Sequence, residues 1–324
     1  MAKQAVWLSG LVSFEQAAEI LEKIGQIQLS GSSVWRRTAL WGERCKAVEA
    51  ARRVTAQALP DQGEPVARAS DHPGRMGVAM DGAMIPIRQE GWKELKVGCV
   101  FDIERRPTFD RQTGEWRDVA QAVHTSYGAH LGGPDVFGQV LWAEAQRRRW
   151  EQAGETIVLG DGAPWVWNLA SEHFFGSREG VDWYHGSQHL AQAARLLHGE
   201  GTPAAQEWFQ DHETLLFEGH AARIATELTQ AATGKRKVAK QLRQEAGYFR
   251  ENQGRMQYLE LRDAGYPIGS GMVESGCKQF RARFTGPGMR WSRSGAERLL
   301  PVRAAIMSHR FDSLWQAAYA PPLN

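Results

Sequence analysis

Three acidic residues occupy positions from which metal-dependent phosphoryl chemistry could be built. Asp81 sits in the apolar run GVAMDGAMIPI, Asp161 ends ETIVLGDGA, and Glu274 lies early in GSGMVESGCKQF. Carboxylates are hard oxygen donors. With no thiolate pair or histidine cluster beside them, they favour Mg²⁺, with Mn²⁺ as a substitute, and leave positions open for water and phosphate oxygens. Two such ions about 4 Å apart can activate a water or a 3′-hydroxyl and stabilise the leaving 3′-oxygen in an in-line displacement, which serves both hydrolysis and strand transfer. Each acid also has a plain structural reading. Asp before Gly, as in Asp81-Gly82 and Asp161-Gly162, is a common turn former. Glu274 could simply complement the positive end of a helix dipole. Only the constellation carries weight.

For the acids to meet, a fold must bring them to one mouth. The runs GVAMDGAMIPI, ELKVGCVFDIE and DVAQAVHTSYGAHL predict three strands in an antiparallel meander. DVFGQVLWAEAQRRR has helical periodicity and a basic last turn. ETIVLG then reads as a strand, Pro164 opens a helix over PWVWNLASEHFF, and GVDWYH reads as another strand. The order βββαβαβ is that of an α/β protein with a mixed sheet. Adjacent strands lie under about 5 Å apart, so acids on two central strands share a mouth that a covering helix can reach with a third. Residues 187–264, rich in Ala, Gln, Glu, Leu, Lys and Arg, predict a helical insertion. The closing helix starts at Gly269-Ser270-Gly271, with Ser270 as N-cap and Val273, Cys277, Phe280 and Phe284 on one face.

The chain ahead of the sheet is helical. Ser13 and Gln16 form a capping box before a helix reaching Ile24, and a second helix spans about Ser33 to Arg53 with Arg36, Arg37, Arg44, Arg52 and Arg53 on it. The pair reads either as a helix-turn-helix whose Arg36 and Arg37 meet DNA or as an ordinary hairpin with a solvated basic face. Residues 1–56 thus form an N-terminal helical region, 57–74 a linker rich in Pro, Gly and acids, 75–186 the first part of the core, and 265–324 its closing helix and basic end. Between Lys278 and Arg310 stand eight basic residues against one acid, Glu297. Lys278, Arg281, Arg283, Arg290 and Arg293 are the expected phosphate contacts. The nearby Phe280, Phe284 and Trp291, and Trp165, Trp167 and Trp183, read as core. Lys235, Arg236, Lys237, Lys240 and Arg243 give no preference.

Bulk properties set limits only. A net charge of +2 over 324 residues is too mild to identify a nucleic-acid partner. Cys45, Cys99 and Cys277 lack any paired spacing, which argues against a disulfide framework or a cysteine zinc site and fits a reducing cytoplasm. No stretch has the length and apolarity of a membrane span.

Taken with their surroundings, MDGAMI, VLGDGAPWVW and PIGSGMVESGCKQ resemble the DDE transposases of the bacterial ISKra-four insertion-sequence family. The likeness extends to SSVWRRTALWGE, GWKELKVGCVFD and RWSRSGAERLLPVRAA, nearly the whole chain. It implies an RNase H-like catalytic core in which Asp81, Asp161 and Glu274 bind two metal ions, interrupted by a helical insertion. It also implies that Asp182 and His185, in DWYH, match the [C/D]xxH signature of Mutator-like and hAT-like transposases and support the site without ligating metal. His189 with His185 lacks a third zinc ligand. The implied partners are double-stranded DNA, as element ends and target, and further copies of the chain in a synaptic dimer or larger assembly, at the bacterial nucleoid. Relatives carry cysteine-rich segments ahead of the helical part, so the resemblance implies a shorter member or a truncated copy. The alternatives are a nuclease or resolvase without strand transfer, or a DNA-binding regulator derived from a transposase.

Overall fold

The computed structural model describes residues 1–57, 74–110, 114–234, 237–286 and 288–320. Most of the expected linker, and Lys235 and Arg236, lie outside the described residues. Three helices come first: α1 (Ala2–Ser9), α2 (Phe14–Lys23) and α3 (Gly31–Gln57). The capping box of α2 is present, with Ser13 Oγ accepting from Gln16 N and Gln16 Oε1 from Ser13 N, both at 3.1 Å. α1 has no strong apolar periodicity and was not expected. Burial of Ala5 and Val6 stabilises it, as tertiary packing does for helices this short.

The sheet is a meander plus two parallel strands. β1 (Arg75–Ile87), β2 (Gly91–Asp110) and β3 (Glu115–Leu131) pair antiparallel in sequence. After α4 (Pro134–Arg147), β4 (Glu155–Gly160) returns to the free side of β1, parallel to it. α5 (Pro164–His173) then leads to β5 (Arg178–Val181), parallel to β4. The order is β3-β2-β1-β4-β5, so β1 and β4 are neighbours in the middle. The expected order βββαβαβ and the α/β class hold. β2 and β3 run further than expected, pairing as far as Asp110 and Glu115. This outer arm is almost entirely exposed, so it lacks the apolar alternation by which a strand is recognised in sequence.

GVDWYH is divided differently from the expectation. Its strand stops at Val181, Asp182 caps the next helix, and Trp183, Tyr184 and His185 form the first turn of α6 (Trp183–His198). With α6, the helices α7 (Pro203–Phe217), α8 (Ala221–Ala231), α9 (Lys237–Asn252) and α10 (Tyr258–Asp263) fill the expected insertion. α11 (Gly271–Phe284), α12 (Arg293–Met307) and α13 (Phe311–Tyr319) close the chain.

Strand alternation sorts the core into two layers. Ala79, Val97, Cys99, Phe101 and Leu159 pack against α11, α12 and the N-terminal helices, while Met76, Val78, Val100 and Val158 pack against α4, α5 and the insertion. Asp81, two residues beyond Ala79, therefore faces α11. As expected, α11 buries Val273, Cys277, Phe280 and Phe284. Its Gly276 allows close approach, because a Cβ there would lie 2.6 Å from the Tyr127 ring. α3 lies on α12 just as closely: a Cβ on Gly42 would meet the Arg298 carbonyl at 2.6 Å. Ion pairs Lys46–Glu297 at 3.1 Å and Arg298–Glu43 at 2.8 Å flank that crossing. Among the described residues no helix is long and apolar enough to cross a membrane.

Candidate active site

Asp161 is the first residue after β4, and Asp81 lies within β1. The parallel register pairs Ala79 with Leu159, and continuing it by two residues sets Asp81 beside Asp161. Burial pushes the Asp81 carboxyl above its ordinary range. A bond from Gly82 N, at 2.6 Å, and one from the Cys277 thiol oppose that only partly, and the charge of Asp161 adds to the rise. The Cys277 thiol is itself pushed far up by burial and by Asp81, so it acts as a hydrogen-bond donor and not as a nucleophile.

The insertion holds the Asp161 turn. Asp161 Oδ1 accepts from Ala163 N at 2.9 Å, an Asx turn leading into α5, while its carbonyl accepts from the Tyr248 hydroxyl at 2.9 Å. Gly162 has φ +97°, and a Cβ there would come within 2.7 Å of the Tyr248 ring, so both backbone and space require glycine. Tyr248, on α9, stacks on His189 of α6 at 3.6 Å between ring centres, and His189 Nδ1 meets Glu245 at 2.7 Å. Tyr248 and Glu245 carry no signal in the sequence that points to the site. Their spacing within α9 puts them on one face, but their partners are remote in sequence.

Asp182 joins three segments. It is fully buried, its backbone N donates to Gly160 O at 2.8 Å, and Trp183 N donates to Ile268 O at 2.9 Å. Its Oδ1 accepts from His185 N at 2.9 Å and lies 3.2 Å from His185 Nδ1, while its Oδ2 accepts from Ser270 N. Burial would raise the Asp182 carboxyl, but the bonds from His185 and Ser270 prevail and hold it below its ordinary range. In turn, the Asp182 hydrogen bond raises the His185 imidazole against the effect of burial, helped by the charges of Asp182, Asp161 and Asp81. Ser270 does stand at the N-cap of α11, but its side chain makes no capping bond. Asp182 bonds its backbone instead.

Glu274 sits half-buried in the first turn of α11, with Lys278 Nζ 3.7 Å away. Ligand atoms of Asp182, His185 and Glu274 all lie within 4.8 Å of one another, the only such group among the described residues. Asp81, Asp161 and Glu274 do not gather at that spacing. Asp81 and Asp161 adjoin across the strands, Glu274 stands over the Asp182–His185 pair, and His185 feels all three aspartates. Asp182 is a poor ligand because both its oxygens already accept backbone N–H groups. The donors left open are the hard carboxylate oxygens of the other acids and the borderline imidazole nitrogen His185 Nε2.

The basic run is less exposed than its composition implies. Lys278, Arg281 and Arg290 are exposed, and Arg293 is paired with Glu90 at 2.5 Å. Arg283, expected on the open surface, is only 3% exposed and donates to Ser9 O at 2.7 Å. Arg303 is buried on the Gly10 and Gln279 carbonyls, and Arg310 bridges Glu49 at 2.8 Å and Glu144 at 3.3 Å. The N-terminal helices cover this side of the molecule and turn those arginines into internal ties. Arg36 is exposed and Arg37 half-buried on α3, both bonded to Ser33 at 3.2 Å. No protein-family model matches the sequence, and no curated protein matches it.

Proposed function

We propose that this chain is a DNA transposase with an RNase H-like core, cutting and joining phosphodiester bonds at the ends of an insertion sequence. One observation carries the reading. Asp81 in β1 and Asp161, just past the end of β4, stand at the middle of a sheet ordered β3-β2-β1-β4-β5, and a third acid, from α11, meets the same histidine. Asp81, Asp161 and Glu274 would hold Mg²⁺ or Mn²⁺, which supplies Lewis-acid stabilisation of the phosphate oxygens and activates water or a 3′-hydroxyl. Asp81 gains most from a cation, because burial and Asp161 both disfavour its anionic form. Asp182 orients His185 through Nδ1, and in the imidazolium form that its raised pKa favours, Nε2 would donate a hydrogen bond to the substrate phosphate. Tyr248 and Gly162 fix the turn from which Asp161 projects. Lys278 and Arg281 stand on α11 beyond Glu274, where they neutralise phosphates flanking the scissile bond.

The test is joining. Purified protein, Mg²⁺, a labelled element end with a free 3′-hydroxyl and a circular target should yield joined products. Hydrolysis without joining would make the protein a nuclease, and neither reaction would remove the reading.

A further inference from the structure

Away from the carboxylates, a cavity of about 640 Å³ opens where α2 and α3 meet the segment between α11 and α12. Its wall includes Trp35, Arg88, Arg283, Arg290 and Arg298, and Glu15 is the one acid among its described residues. The backbone N of Arg88 donates to Trp291 O at 2.8 Å, which ties the end of β1 to this wall. Arg298 is neutralised by Glu43 at 2.8 Å. Arg88 and Arg290 are exposed and have no ion-pair partner among the described residues.

Arg283 is the unusual member. It is 3% exposed and lies over the rings of Phe14, at 5.5 Å, and Trp291, at 5.0 Å. Its Nε donates to Ser9 O, its Nη1 meets the Met289 sulfur at 3.6 Å, and its Nη2 has no hydrogen-bond partner among the described residues. Burial lowers its pKa to about 10, and the charge of Arg303 acts in the same direction. A buried guanidinium with neutral acceptors and aromatic faces, but no carboxylate bonded to it, lacks its counter-charge.

We propose that this cavity binds one unpaired nucleotide of a DNA strand, with its phosphate drawn to Arg88, Arg290 and Arg283 and its base against Trp35. Guanidinium forks match phosphate oxygens in charge and geometry. Trp35 is 51% exposed, and an exposed indole beside unpaired cations is a stacking surface for a base of any sequence. The volume is that of a site for a ligand of nucleotide size. A strand is favoured over a free nucleotide by the path between the two sites. Along α11, Glu274 and Arg283 are about 14 Å apart but on opposite faces, with the exposed Lys278 and Arg281 on the Glu274 side, so a strand reaching the cavity would pass those cations and round the helix. That last step rests on the transposase reading, whereas the anion site does not.

The experiment is fluorescence anisotropy of the full chain with a short labelled single-stranded oligodeoxynucleotide, in EDTA, over a range of salt. Arg88→Ser with Arg290→Ser should weaken binding by about tenfold or more at low salt and flatten the slope of log affinity against log salt by about 1.4, for two lost phosphate contacts. Trp35→Ala should weaken binding by about tenfold and leave the slope unchanged. Thermal melting verifies that both variants fold. Unchanged affinity and slope in the folded variants would overturn the site, and thymidine monophosphate competing as well per nucleotide as the oligonucleotide would overturn the strand. Because no Mg²⁺ is present, a chain that cannot join DNA can still pass. A chain that joins DNA but binds unchanged in these variants sinks the cavity alone.

Discussion

Asp182 and Asp81 both act on His185, yet they are surrounded in opposite ways. Asp182 has two backbone N–H groups and an imidazole on its two oxygens, enough to hold a fully buried carboxyl below its ordinary range. Asp81 has one backbone N–H and a thiol, and burial keeps it above that range. The first is a saturated joint between β5, α6 and α11. The second is an under-supplied anion beside another carboxylate, the arrangement expected where a cation is to bind. On the proposed reading, the supply of donors separates a supporting acid from a ligating one.

Asp81→Asn should separate activity from stability most sharply. Metal-dependent cleavage should fall by about a thousandfold or more, equivalent to about 4 kcal/mol in the transition state. Stability at neutral pH should hold or rise by about 1 kcal/mol. An acid whose folded pKa is raised costs stability above its ordinary pKa, and the amide removes that cost. Urea denaturation checks the second half, and a large loss of stability would mean that Asp81 is structural.

Asp182→Ala should do the reverse. It leaves the Ser270 and His185 N–H groups without their acceptor and should cost about 3 kcal/mol of stability. A melting temperature equal to that of the parent would erase the contrast between the two acids.

His185→Gln should lower cleavage by about 10- to 100-fold, as loss of a supporting residue does. It should also alter the pH dependence of stability. His185 has a raised folded pKa, so its contribution is complete below the ordinary value of about 6.5 and is lost as pH rises through the raised one. Asp182, with a lowered pKa, contributes above its ordinary value of about 3.9 and loses that contribution as pH falls through the lowered one. Melting curves of the parent should therefore show a loss as pH rises beyond the ordinary histidine value of about 6.5 that His185→Gln lacks. Identical pH profiles would remove the histidine from the pair.

Tyr248→Phe tests the smallest effect, loss of the hydroxyl on the Asp161 carbonyl, at about 1 kcal/mol of stability with a modest fall in cleavage. An unchanged cleavage rate would show that the Asp161 turn needs no support from α9.

The central strands were legible because β1 and β4 are apolar runs ended by turn residues, and α11 because its apolar positions recur at helical spacing. The outer arm of β2 and β3 was not, since exposed strands carry no alternation, nor was α1, which depends on burial against α3. The capping role of Asp182 is hidden in GVDWYH, which has strand character, because capping depends on the geometry of the chain that follows. Charge along the chain also misled: nothing in the sequence separates exposed Lys278 and Arg281 from buried Arg283, Arg303 and Arg310, whose partners are mostly remote in sequence.

Asp161→Asn with labelled element-end DNA, read for cleavage in Mg²⁺ and for binding in EDTA, tests the proposed metal-binding role of the acids most directly. Loss of cleavage by about a thousandfold with binding intact is the predicted result. Cleavage at the parent's rate would contradict it, because Asp161 would then hold no metal.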